Sequence, residues 1–361
     1  MILTNLKLKN FRNYSISEVD FSSGLNMIYG ENASGKTNLV ESVYFLSSGR
    51  SFRTNIVSEL IKNDENIGTI EGKIIRGKNS HKIRAVIEKE KRHFFLNGRE
   101  IKKVSELAKM LNVLVFTPTD VHFFKESPRV RRNYLDINLG KMFPAYLEAL
   151  TRYNKLLQER NELLKKKVID DIQKDTIEEM MCEESYTIYR YRKEFIKKLE
   201  PIVEKVVKAI HGDAKRIHLT YLFEIDEEDK GTYVCELKKA LNRALESDLK
   251  YRATSIGIHR EDFVTELNGR KIAAFGSQGE KRMTALALKV APYFLIEERE
   301  NKPIIVLDDV MSELDEEHIR KLLAFFSKFE QVFITGTKIE KSDASFYEVS
   351  KQNIRRVDYG R

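Results

Sequence analysis

The sequence predicts a mixed α/β fold interrupted by a helical insertion. Three observations carry that expectation. A glycine-rich loop at 30–37 lies between a short apolar strand and a helix. A wholly apolar strand at 304–307 runs straight into two aspartates. Between them, from 129 to 250, the chain changes to long, charged, helix-periodic sequence.

The loop reads Gly30-Glu31-Asn32-Ala33-Ser34-Gly35-Lys36-Thr37 and fits the G-x-x-x-x-G-K-[ST] phosphate loop without a mismatch. Its glycines let successive N–H groups turn inward as an anion nest. Lys36 reaches for β and γ phosphates, and Thr37 offers a hydroxyl to Mg²⁺. Asn38 continues into a helix whose positive end faces the phosphates. Residues 25–29 before the loop are short, apolar and strand-like.

Taken in order, residues 1–10 alternate apolar and polar and predict a strand. Further strands are expected at 67–76, 82–89 and 93–97, with a hairpin turn at Asn97-Gly98. The first hundred residues therefore read as a largely antiparallel sheet with the phosphate-loop helix inserted. A short helix at 105–111 and a buried strand at 113–116 follow. Two apolar stripes then repeat at helical spacing, one from Tyr146 to Leu164 and one from Ile177 to Val206, separated by a turn at 165–171. They predict an antiparallel helical pair, each helix roughly 35–50 Å long. A strand at 217–225, a helix at 234–249 and a second Asn-Gly hairpin at 267–270 come next. An apolar helix is expected at 283–298, a buried strand at 303–308, a helix at 316–328 and a strand at 331–335. Strand and helix alternate here, which implies a parallel sheet.

The strand Ile304-Ile305-Val306-Leu307 ends in Asp308-Asp309. Asp308, at the carboxyl end of a central strand, is placed to hold Mg²⁺, and Asp309 to orient or deprotonate an attacking water. Gly276-Ser277-Gln278-Gly279-Glu280 opens a second helix and gives the chain a second phosphate-binding helix end.

Bulk composition narrows the class. The 361 residues are 42% hydrophobic and 33% charged, enough for a core and more than one domain. Lys+Arg of 63 against Asp+Glu of 55 leaves +8, which suits a polyanionic partner. Cys182 and Cys235 have no metal-ligand spacing, so a reducing, cytoplasmic location is expected. The start lacks the pattern of a secretory signal, and no apolar run approaches the ~18–20 residues that span a membrane. Basic clusters stand at Lys73-Arg76-Lys78-Lys82-Arg84, at Lys89-Lys91-Arg92 and at Arg129-Arg131-Arg132. Such clusters give salt-sensitive, sequence-tolerant contact with phosphates, or simply form a solvated face. His259, beside Arg260, Glu261 and Asp262, is either part of a site or a loop histidine satisfied by its neighbours.

The phosphate loop, Ser277-Gln278-Gly279-Glu280, the 307–315 stretch and the opening Leu6-Lys-Leu-Lys-Asn-Phe-Arg-Asn-Tyr14 together resemble the ABC-type ATPase heads of the SMC class, and within them the RecF family of bacterial recombination mediators. The resemblance is essentially full length and includes Ser51-Phe-Arg53, Thr117-Pro-Thr-Asp120 and Ile258-His-Arg-Glu-Asp262. It implies a discontinuous head from 1–128 and 251–361, with a mixed sheet and an antiparallel β subdomain. It implies an arm-like helical insertion at 129–250. The implied ligands are ATP, at residues 30–38 with Arg12, and Mg²⁺, at Thr37 and Asp308. Lys36, Asp308, Asp309, Ser277 and Gln278 are the implied catalytic set, with Ser277, Gln278 and Gly279 reaching the γ-phosphate held by the other protomer of an ATP-dependent homodimer. Ser312, Glu313, Leu314 and Asp315 match the loop that crosses that interface, and Thr335-Gly-Thr337 the switch region.

The family binds single- and double-stranded DNA at gaps and junctions and acts with RecR and RecO to aid RecA loading in repair, replication and the SOS response. This chain departs from its pattern at Glu280, where Gln is usual, at Ile258, where Pro is expected, and at 117–120, which lacks the Gln of a Q-loop. Two other readings fit parts of the sequence: an ATPase subunit of a transporter, and a nucleotide-gated scaffold that does not hydrolyse ATP.

Overall fold

The computed structural model describes residues 1–102, 105–166, 170–212, 215–312, 314–337 and 343–358. The chain divides into two compact units, Met1–Asp120 with Val206–Asp213 and Leu286–Arg361, and Val121–Lys205 with Ala214–Ala285.

The first unit holds two six-stranded sheets. One is antiparallel, in the order Tyr14–Asp20, Ile2–Phe11, Ile67–Arg76, Asn79–Glu88, Arg92–Leu96, Arg99–Glu100. Its last turn is the expected hairpin: Asn97 and Gly98 both take positive φ, at 51° and 84°. The other sheet runs Asn353–Val357, Ser345–Ser350, Gly24–Tyr29, Gln331–Gly336, Ile304–Leu307, Val113–Phe116. Four of its five pairings are parallel, with Gly24 opposite Gln331 and Ile304 opposite Val113. Parallel strands are covered on both faces, so Ile304–Leu307 is buried at every position.

The helix Lys36–Ser48 buries Leu39, Val40, Val43, Phe45 and Leu46 in a core shared with Leu3, Ile70 and Ile83 of the antiparallel sheet and with Val306 and Phe333 of the parallel one. Each such side chain contributes about 1.5–3 kcal/mol. The strand before the phosphate loop thus belongs to the parallel sheet, not to the antiparallel one that surrounds it in sequence.

The second unit contains the helices Pro128–Met142, Pro144–Leu163 and Lys230–Tyr251, most of Asp171–His211, and a small antiparallel sheet of Ile217–Leu222, Asp262–Leu267 and Arg270–Lys271. Helices Pro144–Leu163 and Asp171–His211 are antiparallel: Tyr146 meets Arg192, Arg152 meets Glu184, and Arg160 meets Glu178. At 41 residues the second is about 60 Å long, beyond the expected range, and it continues through Pro201.

The units do not follow the expected 129–250 boundaries. Strand Asp262–Leu267 pairs along its whole length with Ile217–Leu222, and both oxygens of Asp262 accept from Arg131 at 2.7 Å. These bonds hold 251–285 with the helices. The helix expected at 283–298 is two, Gln278–Val290 and Pro292–Leu295, because Pro292 lacks the N–H a continuous helix needs. Among the described residues no helix is long and apolar enough to cross a membrane.

Candidate nucleotide site

The phosphate loop leaves strand Gly24–Tyr29 and enters helix Lys36–Ser48. Three of its residues take positive φ: Gly30 at 156°, Ala33 at 63° and Gly35 at 117°. The two glycines are sterically required. A Cβ on Gly30 would lie 2.3 Å from Val349 O, and one on Gly35 would lie 2.7 Å from Asn13 Nδ2 and 2.9 Å from the Tyr14 hydroxyl. Tyr14 fixes the loop's end by donating to Gly35 O at 3.0 Å, and Asn13 donates to Ser34 O at 3.2 Å.

The loop fits a phosphate chain. Helix Lys36–Ser48 has no side-chain cap among the described residues, and the first N–H groups of a helix have no intrahelical partner. Ser34 Oγ is buried and has no hydrogen-bond partner among the described residues. Lys36 Nζ donates to the loop's own carbonyls, Gly30 O at 2.8 Å and Glu31 O at 2.7 Å. Burial lowers the Lys36 pKa, with Asp309 and Asp308 opposing that shift, so an anion placed here relieves a cost.

The acidic strand end meets the loop directly. Thr37 Oγ1 donates to Asp308 Oδ1 at 3.0 Å, and Thr335 Oγ1 donates to the same oxygen at 2.7 Å. Asp308 is buried, and its pKa is raised, first by desolvation, with the two hydroxyls opposing. Among the described residues no cluster of three or more His, Cys, Asp or Glu side chains is gathered around a metal position. One carboxylate beside one hydroxyl instead suits Mg²⁺, which takes few protein ligands and completes its shell with phosphate and water. Asp309 sits at φ 49°, and its N–H is fixed by Thr335 Oγ1 at 2.9 Å.

Arg12 is close to the loop but engaged: Nε and Nη2 donate to the two oxygens of Glu41 at 2.9 and 2.7 Å. Glu41 is fully buried and also accepts from Ser51, while Arg53 stands 3.5 Å from it and donates to Asn38 Oδ1 at 2.6 Å. Asn38 in turn donates to Asn13 Oδ1 at 2.7 Å. Sequence reasoning missed Glu41, a carboxylate on the inward face of the helix beside Leu39, Val40 and Val43. Its only signal was a charge at a core position of the helical pattern. Glu31, Asn32 and Ala33 are exposed on the loop's rim.

At 117–120, Thr117 N–H and Asp120 close a turn at 2.7 Å, and Lys289 Nζ reaches Asp120 at 2.6 Å. After Asp309, Ser312 Oγ donates to Asp309 O at 3.1 Å, and Asp315 caps helix Glu316–Phe326 by accepting from His318 N–H at 2.9 Å. Leu314 N–H closes a turn on Met311 O at 3.1 Å. Glu313 lies outside the described residues.

In the second unit, Ser277 and Glu280 form a reciprocal capping box at the start of helix Gln278–Val290. Glu280 N–H donates to Ser277 Oγ at 3.2 Å, and Ser277 N–H donates to Glu280 Oε2 at 2.9 Å. Gly276 is required, since a Cβ would lie 2.9 Å from Ile272 O. Arg131 and Arg132 are spent internally on Asp262 and the Glu261 carbonyl. His259 is the satisfied loop histidine. Nε2–H donates to Thr254 O at 3.0 Å, which leaves Nδ1 to accept from the Tyr153 hydroxyl at 2.6 Å. Burial lowers its pKa to about 4, so it is neutral. The basic strands carry their own counterions in part: Lys82 pairs with Glu71 at 2.8 Å.

The chain matches the family described as RecF/RecN/SMC N terminal domain over residues 2–355. It is 36% identical over 368 residues to the DNA replication and repair protein RecF of Geobacillus thermodenitrificans, covering 98% of this chain and 99% of that one. RecF of Bacillus subtilis is 34% identical over 351 residues, 95% of each chain. A solved structure of the recombination mediator protein RecF with ATP in the RecFOR pathway has a TM-score of 0.86 at 33% identity, covering 99% of both chains. The Smc head domain from Pyrococcus furiosus, at 18% identity and a TM-score of 0.61, covering 98% of this chain and 95% of that one, shares the fold. A phosphate loop, an acidic strand end and a full-length match on one ATPase-head fold place this chain in the RecF family of DNA replication and repair proteins.

Proposed function

We propose that the chain is an ATP-switched DNA-binding protein of recombinational repair and a slow, DNA-dependent ATPase. The observation that carries this reading is the Thr37–Asp308 hydrogen bond beside a loop whose lysine is turned onto its own carbonyls. ATP binds at residues 30–38. Lys36 exchanges Gly30 O and Glu31 O for β and γ oxygens, and Ser34 Oγ gains a partner. Thr37 and Asp308 would hold Mg²⁺. Bound there, the ion would neutralise charge shared between the β and γ oxygens. Asp309, fixed by its backbone, orients the attacking water. Arg12 lies beside the nucleotide, positioned by Glu41.

Ser277, Gln278 and Gly279 act in trans, so two heads close over two nucleotides into a homodimer. Gly279 supports this role. Its φ is ordinary and a Cβ there would meet nothing within 4 Å, so nothing among the described residues calls for glycine. Close approach of a ligand to the backbone does. The closed dimer binds DNA at gaps or junctions, works with RecR and RecO toward RecA loading, and opens on hydrolysis.

Light scattering with and without ATP tests this, for the native chain, Lys36→Ala and Ser277→Arg, with DNA titrated at two salt concentrations. The expected result is an ATP-dependent dimer that binds DNA more tightly and that either change abolishes. A chain that stays monomeric with ATP and DNA overturns the trans arrangement. Binding of ATP with no turnover, even with DNA present, overturns the ATPase.

A further inference from the structure

We infer that Thr335 is a positioning residue for ATP hydrolysis. Its one hydroxyl fixes the carboxylate of Asp308 and the backbone of Asp309 together, so the group proposed to hold the ion and the group proposed to orient the water keep a set relation. This rests on the ATPase reading above and adds one residue to it.

Thr335 stands where a hydroxyl needs a reason. It follows the apolar run Val332-Phe333-Ile334 on a strand buried at every position, and it is itself 1% exposed. Valine would fill the same space in such a strand without a polar atom to satisfy. The hydroxyl has two partners, and both belong to the paired aspartates. Oγ1 donates to Asp308 Oδ1 at 2.7 Å and accepts the Asp309 N–H at 2.9 Å. A hydroxyl carries one proton. With the Asp309 N–H on its acceptor side, that proton is directed at Asp308.

The place of the strand makes this reach possible. Gln331–Gly336 lies between the strand that feeds the phosphate loop and the strand that ends in Asp308. Thr335 is opposite Ile28 on one side, and Ile334 is opposite Leu307 on the other. Thr335 is therefore held on a rigid element, which places a group more closely than a loop does.

Asp308 Oδ1 also accepts from Thr37, but Thr37 is itself proposed to hold the ion. The bond from Thr335 is independent of that set, so it orients the carboxylate with or without nucleotide. Asp309 stands at φ 49°, a conformation uncommon outside glycine. Its amide groups are held on both sides, the N–H by Thr335 and the carbonyl by Ser312 Oγ at 3.1 Å. Removing the Thr335 oxygen releases the first of these holds.

Two variants of the full chain test this. Thr335→Val keeps the shape and removes the hydroxyl, and Thr335→Ser keeps the hydroxyl. Thr335→Ala, which also lacks the hydroxyl, takes the place of Thr335→Val if that chain does not fold, with melting temperature as the check. Amide exchange at Asp309 is followed by mass spectrometry in the free protein. ATP binding is measured by calorimetry with Mg²⁺ and in EDTA, and kcat and KM are measured with DNA present. Loss of the hydroxyl is expected to speed exchange at Asp309 at least about threefold, the scale of one neutral hydrogen bond. The affinity for ATP with Mg²⁺ and kcat are each expected to fall about tenfold, the scale for a group that orients a metal ligand. Binding in EDTA is expected to stay unchanged, and Thr335→Ser to restore all three.

If Thr335→Val turns over ATP as fast as the native chain, or exchanges no faster at Asp309, the inference is overturned. Equal losses of affinity with Mg²⁺ and in EDTA overturn it too, as does a Thr335→Ser chain as impaired as Thr335→Val, because the threonine then serves packing alone. A native chain that turns over no ATP with DNA present sinks the ATPase reading, and this inference with it; the native arm separates that result from the others.

Discussion

Thr37 Oγ1 donates to Asp308 Oδ1 at 3.0 Å, joining positions 271 residues apart. The contact brings the start of a helix to the end of a parallel strand, with the register Thr335 to Ile28 between them. A hydroxyl and a carboxylate at this distance can share one Mg²⁺. Thr37→Val keeps the β-branched shape and removes the hydroxyl. Its affinity for ATP with Mg²⁺ is expected to fall about tenfold, the loss of one hydrogen bond to a charged group. In EDTA the change should be negligible. Equal losses with and without Mg²⁺ would place Thr37 on the phosphates instead.

Asp308 is a charge buried ahead of need. Its pKa is raised chiefly by burial. A carboxyl whose folded pKa lies above its unfolded one costs stability where both states are ionised. That cost disappears as pH falls through the folded value. Asp308→Asn in the free protein is therefore expected to melt about 2 °C or more above the native chain at pH 7–8. The gain should shrink as the pH drops toward about 4. Differential scanning calorimetry without nucleotide checks this, and a gain that persists unchanged at low pH would assign it to packing rather than charge.

The elements of the candidate nucleotide site stand out in the sequence because their chemistry is local. A phosphate loop, an apolar strand ending in Asp308 and a capping serine are each written in fewer than ten consecutive residues. What surrounds them was not. Glu41 reads as one of several polar residues in a helix, and only the fold shows Arg12, Ser51 and Arg53 converging on it. The strands Ser345–Ser350 and Asn353–Val357, whose Val349 carbonyl closes on Gly30, carry too few apolar positions to stand out. The pairing that holds 251–285 with the helices is hidden for a related reason. Pairing of Asp262–Leu267 with Ile217–Leu222 is a long-range fact with no local signature.

The helical unit depends on a buried arginine. Arg160 is fully buried, donating to Glu178 at 2.8 Å and to Asp248 and Thr254 at 2.7 and 2.8 Å. Glu178 and Asp248 are buried as well. Arg160→Met strands two carboxylates in the interior and is expected to cost about 3–5 kcal/mol in urea unfolding. Adding Glu178→Gln and Asp248→Asn should return much of that loss. Failure of the triple variant to recover would mean that the shape of the guanidinium, rather than its charge, holds these helices.

Gly279→Ala separates the needs of the free chain from those of the proposed dimer. Gly279 is the second residue of helix Gln278–Val290, at an ordinary φ and with open space where a Cβ would stand. Glycine in a helix costs about 0.5–1 kcal/mol relative to alanine. Gly279→Ala is therefore expected to leave the free chain as stable as before or up to about that much more stable. The added methyl meets nothing among the described residues, so a functional loss would point to contact with something outside the chain. ATP-dependent dimerisation, read by light scattering, is expected to be reduced at least about tenfold, the scale of a steric clash at a close backbone approach. ATP binding to the monomer should not change. A variant that is both more stable and fully competent to dimerise would show that no ligand closes on this turn.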